Sequence, residues 1–275
     1  MLKYFKQLDS ILRGDATRLP SLADGRIAIP VGGLSTVIIL LAVFYGFCMG
    51  SFNLMQGLES RARDTYMQIV ASGVKLPLLF FLTLAVTLPS LYVFNALVGS
   101  RLSVLSVLRL LVASTGVIVA VLASLGPIVV FFALSTPNYP FMILLNVAMC
   151  TVSGLLGLAF LLRTMHRLVL IQEALDCPRL AASPADAALQ PGGSHVPAAD
   201  ASPSGALDQV GTFTSRKAVR VFRIWTIVFA LVGAQMSWVL RPFVGNPNME
   251  FTWFRARESN FFQAVIHTLG NLFGL

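Results

Sequence analysis

The chain has 275 residues, of which 56% are hydrophobic and 12% charged, with a net charge of +8 and a mean hydropathy of +0.78. A soluble globule carries about a quarter of its residues as charges, so a water-soluble single domain is excluded and an integral membrane protein follows. The positive excess then reads as a topology signal and an attraction to anionic lipid; with no basic recognition fold, it gives no indication of nucleic acid.

Residues 1–34 precede the first apolar run. Within them Leu2, Phe5, Leu8 and Leu12 fall along one face at helical spacing, with Lys3, Lys6 and Arg13 on much of the rest. That pattern predicts a short amphipathic helix lying on the inner leaflet. The first apolar run starts beyond residue 30 and is long enough to anchor, so no cleavable signal peptide is expected.

A membrane-crossing helix needs about 20 apolar residues, so charge-free gaps locate the crossings. Arg26 and Glu59 bracket 32 uncharged residues, with the first crossing from about Ser35 to Met55. Lys75 and Arg101 bracket 25, enough for a second crossing that leaves Lys75 outside the membrane. Arg109 and Arg163 bracket 53, the length of two crossings, and the break is Ser135-Thr136-Pro137-Asn138-Tyr139-Pro140. Two prolines around an asparagine mark a tight turn. Residues 35–164 thus form a four-helix membrane core.

A cytoplasmic linker covers 165–220. Its middle, 181–210, is mostly Ala, Ser, Pro, Gly and Asp, too poor in apolar surface to offset the entropy of ordering, and disorder is expected there. The fifth crossing takes 221–243, where Arg223 and Arg241 bracket only 17 uncharged residues. Such a gap spans because both arginines snorkel toward headgroups. Trp225 and Trp238 then fall at its two ends, where indoles form interfacial belts. In the tail, 244–275, Phe261, Phe262, Val265, Leu269 and Phe273 form an apolar stripe. Gly270 and Gly274 interrupt it, which favours an interfacial or docking helix over a sixth crossing.

The expected fold is therefore all-α, with five transmembrane helices and interfacial helices at both ends. Placing the N-terminus in the cytoplasm and the C-terminus outside puts fourteen of the twenty basic residues inside, as the positive-inside rule demands.

Chemistry is sparse. Cys48, Cys150 and Cys177 have no paired spacing, and His166, His195 and His267 lie outside the predicted helix cores, so neither disulfide, zinc nor haem is expected. No hydrolase, zincin or nucleotide-binding motif occurs; no catalytic residue, cofactor or metal is expected, and the chain reads as no enzyme. No carboxylate falls inside the five crossings, which argues against proton- or cation-coupled transport. The small-residue pairs Gly46/Gly50, Ser153/Gly157 and Gly233/Ser237 allow close helix approach, within the bundle or toward a partner. Pro77, Pro89 and Pro127 read as tolerated kinks, or as hinges beside a polar path of Asn95, Asn146 and Gln235.

The run from Lys75-Leu76-Pro77 through Leu88-Pro89-Ser90-Leu91-Tyr92-Val93-Phe94-Asn95 resembles an uncharacterised family of bacterial polytopic inner-membrane proteins. Gln235 to Gly245, with Phe254-Arg255 and Phe261-Phe262, resembles that family's outer tail. Five spans with a cytoplasmic N-terminus are also similar in topology to Yip-family membrane proteins. The resemblance implies a multi-pass protein of the bacterial inner membrane and no particular activity.

The function expected is a non-enzymatic accessory or scaffold subunit of an inner-membrane assembly, with the bilayer and other membrane subunits as partners. Its tail stripe is the expected partner or lipid contact. The alternative is a passive channel or permease for a small solute. Alkaline phosphatase needs its disulfides to be active, so it tests orientation: a fusion after Leu275 is predicted to be active and one after Gly205 inactive. The reverse pattern overturns the topology.

Overall fold

The computed structural model describes residues 2–13, 31–57, 62–97, 104–181, 206–240, 243–245, 251–254 and 260–274. All regular structure among them is α-helix: α1 (Leu2–Leu12), α2 (Val31–Gly50), α3 (Phe52–Gly57), α4 (Ala62–Leu97), α5 (Val104–Ser135), α6 (Tyr139–Ala181), α7 (Ala206–Val239) and α8 (Phe261–Phe273). Four stretches are long and apolar enough to cross a membrane: Val31–Leu54, Asp64–Ser90, Leu108–Ser135 and Tyr139–Thr164. This is a multi-pass membrane protein. The apolar part of α7, Arg223–Val239, is a shorter 17-residue helix.

Local chemistry sets the ends of these helices. The Ser51 hydroxyl donates to the Cys48 carbonyl at 2.7 Å, and α2 gives way there to the short α3. Asp64 sits in the first turn of α4, where the helix dipole favours an acid. Between α5 and α6 the turn is Thr136–Asn138, and the Asn138 side chain accepts from the Phe141 amide at 3.1 Å. This is an N-cap, and Pro140 follows in the first turn, where no amide hydrogen is needed.

The bundle is organised around α2, which is apolar on every side. A Cβ on Gly46 would stand 2.5 Å from the Ser72 carbonyl oxygen, and one on Gly50 would stand 2.9 Å from the Ile69 Cα. Backbone therefore lies against backbone where α2 meets α4. Toward α5, a Cβ on Gly126 would lie 3.1 Å from Cys48 Sγ. Gly157 lets α6 close on α5 at Ile118, and Ser153 is fully buried beside it. A buried hydrogen bond ties α2 to α6: the Tyr45 hydroxyl donates to Asn146 Oδ1 at 3.2 Å.

The last long helix packs on α4. Trp225 Nε1 donates to the Ser90 hydroxyl at 3.0 Å, and Gly233 faces the Thr83 methyl at 3.6 Å from a Cβ position. Eight residues forward along α7 thus match seven back along α4, an antiparallel register. Trp225 is buried and lies 5.5 Å from Phe229, so it packs in the bundle rather than in an interfacial belt.

Other expectations change as well. α4 begins at Ala62, so its apolar stretch starts before Lys75 and includes it. α6 continues to Ala181 and α7 starts at Ala206, so helix occupies both flanks of the expected linker. Residues 182–205, the rest of the segment expected to be disordered, lie outside the described residues. At the N-terminus, α1 forms as expected but presents a different face. Leu8 and Ile11 are buried among α2 and α5 residues and Tyr4 packs at Gly33, whereas Phe5 and Leu12 are exposed. The helix has two apolar flanks, and the bundle takes the one with Tyr4, Leu8 and Ile11.

Gly46→Ala is predicted to destabilise the protein by about 1–3 kcal/mol, the range for overpacking a filled contact. Gly32→Ala, where a Cβ meets nothing within 4 Å, serves as the control. A lower melting temperature in detergent for the first variant and an unchanged one for the second is the expected pair.

Candidate functional site

At the end of the bundle where α4 starts and α7 stops, several polar side chains point at one irregular segment. Gln68 and Ser72 lie one turn apart on α4, both buried. Gln68 Nε2 donates to the Phe243 carbonyl at 3.1 Å, and the Ser72 hydroxyl donates to the same oxygen. Tyr139, the first residue of α6, reaches the Val244 carbonyl at 3.5 Å. Gly245 comes next, packed so closely on Asn53 and Gln68 that a Cβ would meet Gln68 Cγ at 2.7 Å. Only glycine fits there. Non-helical backbone beside membrane-spanning helices must have its carbonyls satisfied by protein, and these three side chains do that for Phe243 and Val244.

Three residues beyond Ser72 is Lys75, which is 2% exposed. It lies eleven residues past Asp64, or about 16 Å along the helix axis. Side chains on a helix lean toward its N-terminus, so the lysine stem runs back toward the end that carries the irregular segment. Its ammonium donates to the Trp253 carbonyl. The ring centroids of Phe254 and Trp253 lie 5.1 and 5.9 Å from Nζ, and Phe251 packs edge-on against Trp253 at 5.7 Å. A charge within a crossing is costly. A carbonyl and two aromatic faces offset part of that cost. Lys75 thus acts as a latch on residues 251–254.

The latched segment leads to α8. Asn260 caps its start by accepting from the Gln263 amide, and Gly274 ends it in the left-handed conformation at φ 73°. The helix packs against α6 and α7, with Phe261, Val265 and Leu272 half-buried. Phe262, Ile266, Leu269 and Phe273 are exposed, Ile266 by 69% and Phe273 by 71%. Their spacing of four, three and four residues puts them on one face. α8 contains no Asp, Glu, Lys or Arg.

The tail residues read from sequence therefore divide between two faces. Phe261 and Val265 turn toward the bundle; Phe262, Leu269 and Phe273 turn away, joined by Ile266. The small residues on α2 and α6 lie at the α2–α4 and α5–α6 contacts, and Gly233 meets α4. Ser237 donates to the Ala234 carbonyl of its own helix. Asn146 is bonded to Tyr45 and to the Met142 carbonyl, while Gln235 is half-buried on α7. The side chain of Asn95 lies outside the described residues. Among the described residues, no three of His, Cys, Asp or Glu converge as a metal site. No family model, curated protein or solved structure matches the chain.

Sequence reasoning missed Lys75, Gln68, Ser72 and Ile266. One signal was available: residues 66–74 are uncharged and mostly apolar, so the hydrophobic pattern continues on both sides of Lys75.

Lys75→Met keeps the packing volume and removes the charge. A hydrogen bond from a charged group contributes about 1.5–3 kcal/mol, so the latch is predicted to open roughly ten- to hundredfold more often. Amide hydrogen exchange of the peptide covering 251–254 reads this directly. Equal exchange in the variant and the parent removes the latch from the account.

Proposed function

We propose that this chain is a non-catalytic accessory or scaffold subunit of a bacterial inner-membrane assembly, and that α8 is its partner-docking element. The carrying observation is the exposed, charge-free stripe of Phe262, Ile266, Leu269 and Phe273 on a helix held in one orientation. A helix that only anchors in lipid is oriented by its own apolar face and needs no ties to the bundle. Here the preceding segment is tied by Gln68, Ser72, Tyr139 and Lys75, and the other face of α8 packs on α6 and α7. Fixed presentation suits a protein partner that reads a particular face.

Five crossings with a cytoplasmic N-terminus is the topology that goes with this role. The register of α7 on α4 supports it: Trp225 meets Ser90, Gly233 meets Thr83, and Phe243 meets Ser72. Eighteen residues of α4 are covered, about 27 Å, close to the hydrocarbon thickness. The likeness to bacterial polytopic inner-membrane proteins supports the compartment. A passive channel draws less support, because the Asn146 carboxamide is bonded within the bundle.

Phe262→Ser with Ile266→Ser alters only the exposed face, so insertion and the bundle are predicted to stay intact while partners are lost. Native mass spectrometry after mild solubilisation compares the two proteins. Partner masses bound to the parent and absent from the double variant support the proposal. A parent that emerges alone, or a variant that keeps every partner, sinks it.

A further inference from the structure

α8 carries three faces, not two. Phe261, Val265 and Leu272 turn toward the bundle, half-buried. Phe262, Ile266, Leu269 and Phe273 form the exposed apolar stripe, and Gln263, His267 and Asn271 form an exposed polar row. At about 100° per residue the three faces stand roughly a third of a turn apart. A helix of 13 residues is about 20 Å long, too short to cross the hydrocarbon layer. The placement that suits all three faces is along the membrane boundary. There the polar row meets water, and the stripe points sideways, away from the bundle and along the plane of the membrane.

Two features of the stripe select what covers it. The first is charge: α8 contains no Asp, Glu, Lys or Arg, so an identical stripe can be laid on it without like charges meeting. The second is order. From either end, the stripe runs aromatic, aliphatic, aliphatic, aromatic, at spacings of four, three and four residues. Copies inserted in one orientation are related by a two-fold axis along the membrane normal. That rotation reverses the direction of any helix lying in the membrane plane. A two-fold contact pairs residue i with j and j with i. Here Phe262 falls against Phe273 of the second copy and Ile266 against Leu269 of the second copy, and both pairs recur on the other side of the axis. Aromatic then meets aromatic and aliphatic meets aliphatic throughout. An unrelated partner would require no such order.

We propose that α8 pairs antiparallel with α8 of a second copy of this chain, stripe against stripe, across a two-fold axis between Ile266 and Leu269. The inference rests on the reading of α8 as a docking element and names its partner. The four side chains are between 45% and 71% exposed and offer roughly 400 Å² per copy. Two copies together bury less than the about 1,200 Å² of a standard complex. The dimer is therefore reversible, and its fraction follows the protein-to-detergent ratio.

The test uses the full-length chain. Native mass spectrometry in mild detergent is expected to show a species of twice the monomer mass, favoured at high protein-to-detergent ratio. Ile266→Ser changes a side chain that is 69% exposed, so the fold is expected to stay intact. The dimer is expected to weaken roughly tenfold or more, since both copies lose the contact. Direction is read by oxidative cross-linking in membranes, in a background of Cys48→Ala, Cys150→Ala and Cys177→Ala. Phe262→Cys and Phe273→Cys, co-expressed with different tags, are expected to form a disulfide with each other and neither with itself. Antiparallel pairing sets like positions about 16 Å apart along the helix. A disulfide of Phe262→Cys with its own copy overturns the two-fold arrangement. A partner of different mass, lost from the Phe262→Ser, Ile266→Ser variant and with no dimer, overturns self-pairing and keeps the docking role. A chain that is monomeric at every ratio and forms no cross-link overturns both and leaves the stripe to lipid. If the cysteine-free chain fails to fold, the masses of the parent and of Ile266→Ser decide the question.

Discussion

Everything in the bundle depends on how closely α2 and α4 approach. Lipid offers no hydrophobic drive to bring helices together, because chains and side chains are equally apolar. What remains is dispersion between surfaces that fit, and it weakens steeply with distance. Gly46 and Gly50 remove the side chains at the crossing, so the backbone of α2 lies on Ser72, Gly73 and Ile69. Once α4 is set there, Ser72, Thr83 and Ser90 along it form the track for α7 and the segment after it, and its polar row of Gln68, Ser72 and Lys75 has a defined direction.

That row accounts for the polar contacts between α4 and the segment that follows α7. A hydroxyl or carboxamide within a crossing must find a partner. Further along α4, Ser90 bonds across to Trp225. Toward its start, Gln68 and Ser72 both bond to the backbone carbonyl of Phe243, and Lys75 to that of Trp253. The backward lean of helical side chains turns them toward the same end. The energy of desolvating these groups is recovered by fixing a segment with no regular structure. Through that segment the position of α8 is coupled to the middle of α4.

Where charges really do avoid hydrocarbon, counting uncharged residues located the helices. The turn read at Ser135–Pro140 lies where α5 ends at Ser135 and α6 begins at Tyr139. The method failed at Lys75, which it took as a border. A lysine remains inside when a carbonyl 178 residues away comes to meet it, and no local pattern encodes that meeting. Amphipathic faces were legible as faces but not as destinations. On α1 the set Leu2, Phe5, Leu8 and Leu12 satisfied helical spacing, yet Tyr4, Leu8 and Ile11 satisfy it equally, and only the bundle chooses. On α8 the sequence stripe blended a half-buried side with an exposed one and passed over Ile266. Indole placement was likewise undecided by sequence, since Trp225 meets Ser90 only when α7 is seated.

The bond between Ser90 and Trp225 joins residues 135 apart in the chain, and that distance is also an interval in time. Synthesis proceeds at about 5–20 residues per second, so α4 precedes its cover by roughly ten seconds. During that interval Thr83, Ser90 and the Lys75 ammonium have no α7 and no tail beside them. The half-made protein must lend these groups to water, headgroups or the insertion machinery, and then exchange those hosts for its own last helix. A ribosome stalled between residues 181 and 206 would hold the chain in that borrowed state, with four crossings made and the polar side of α4 open.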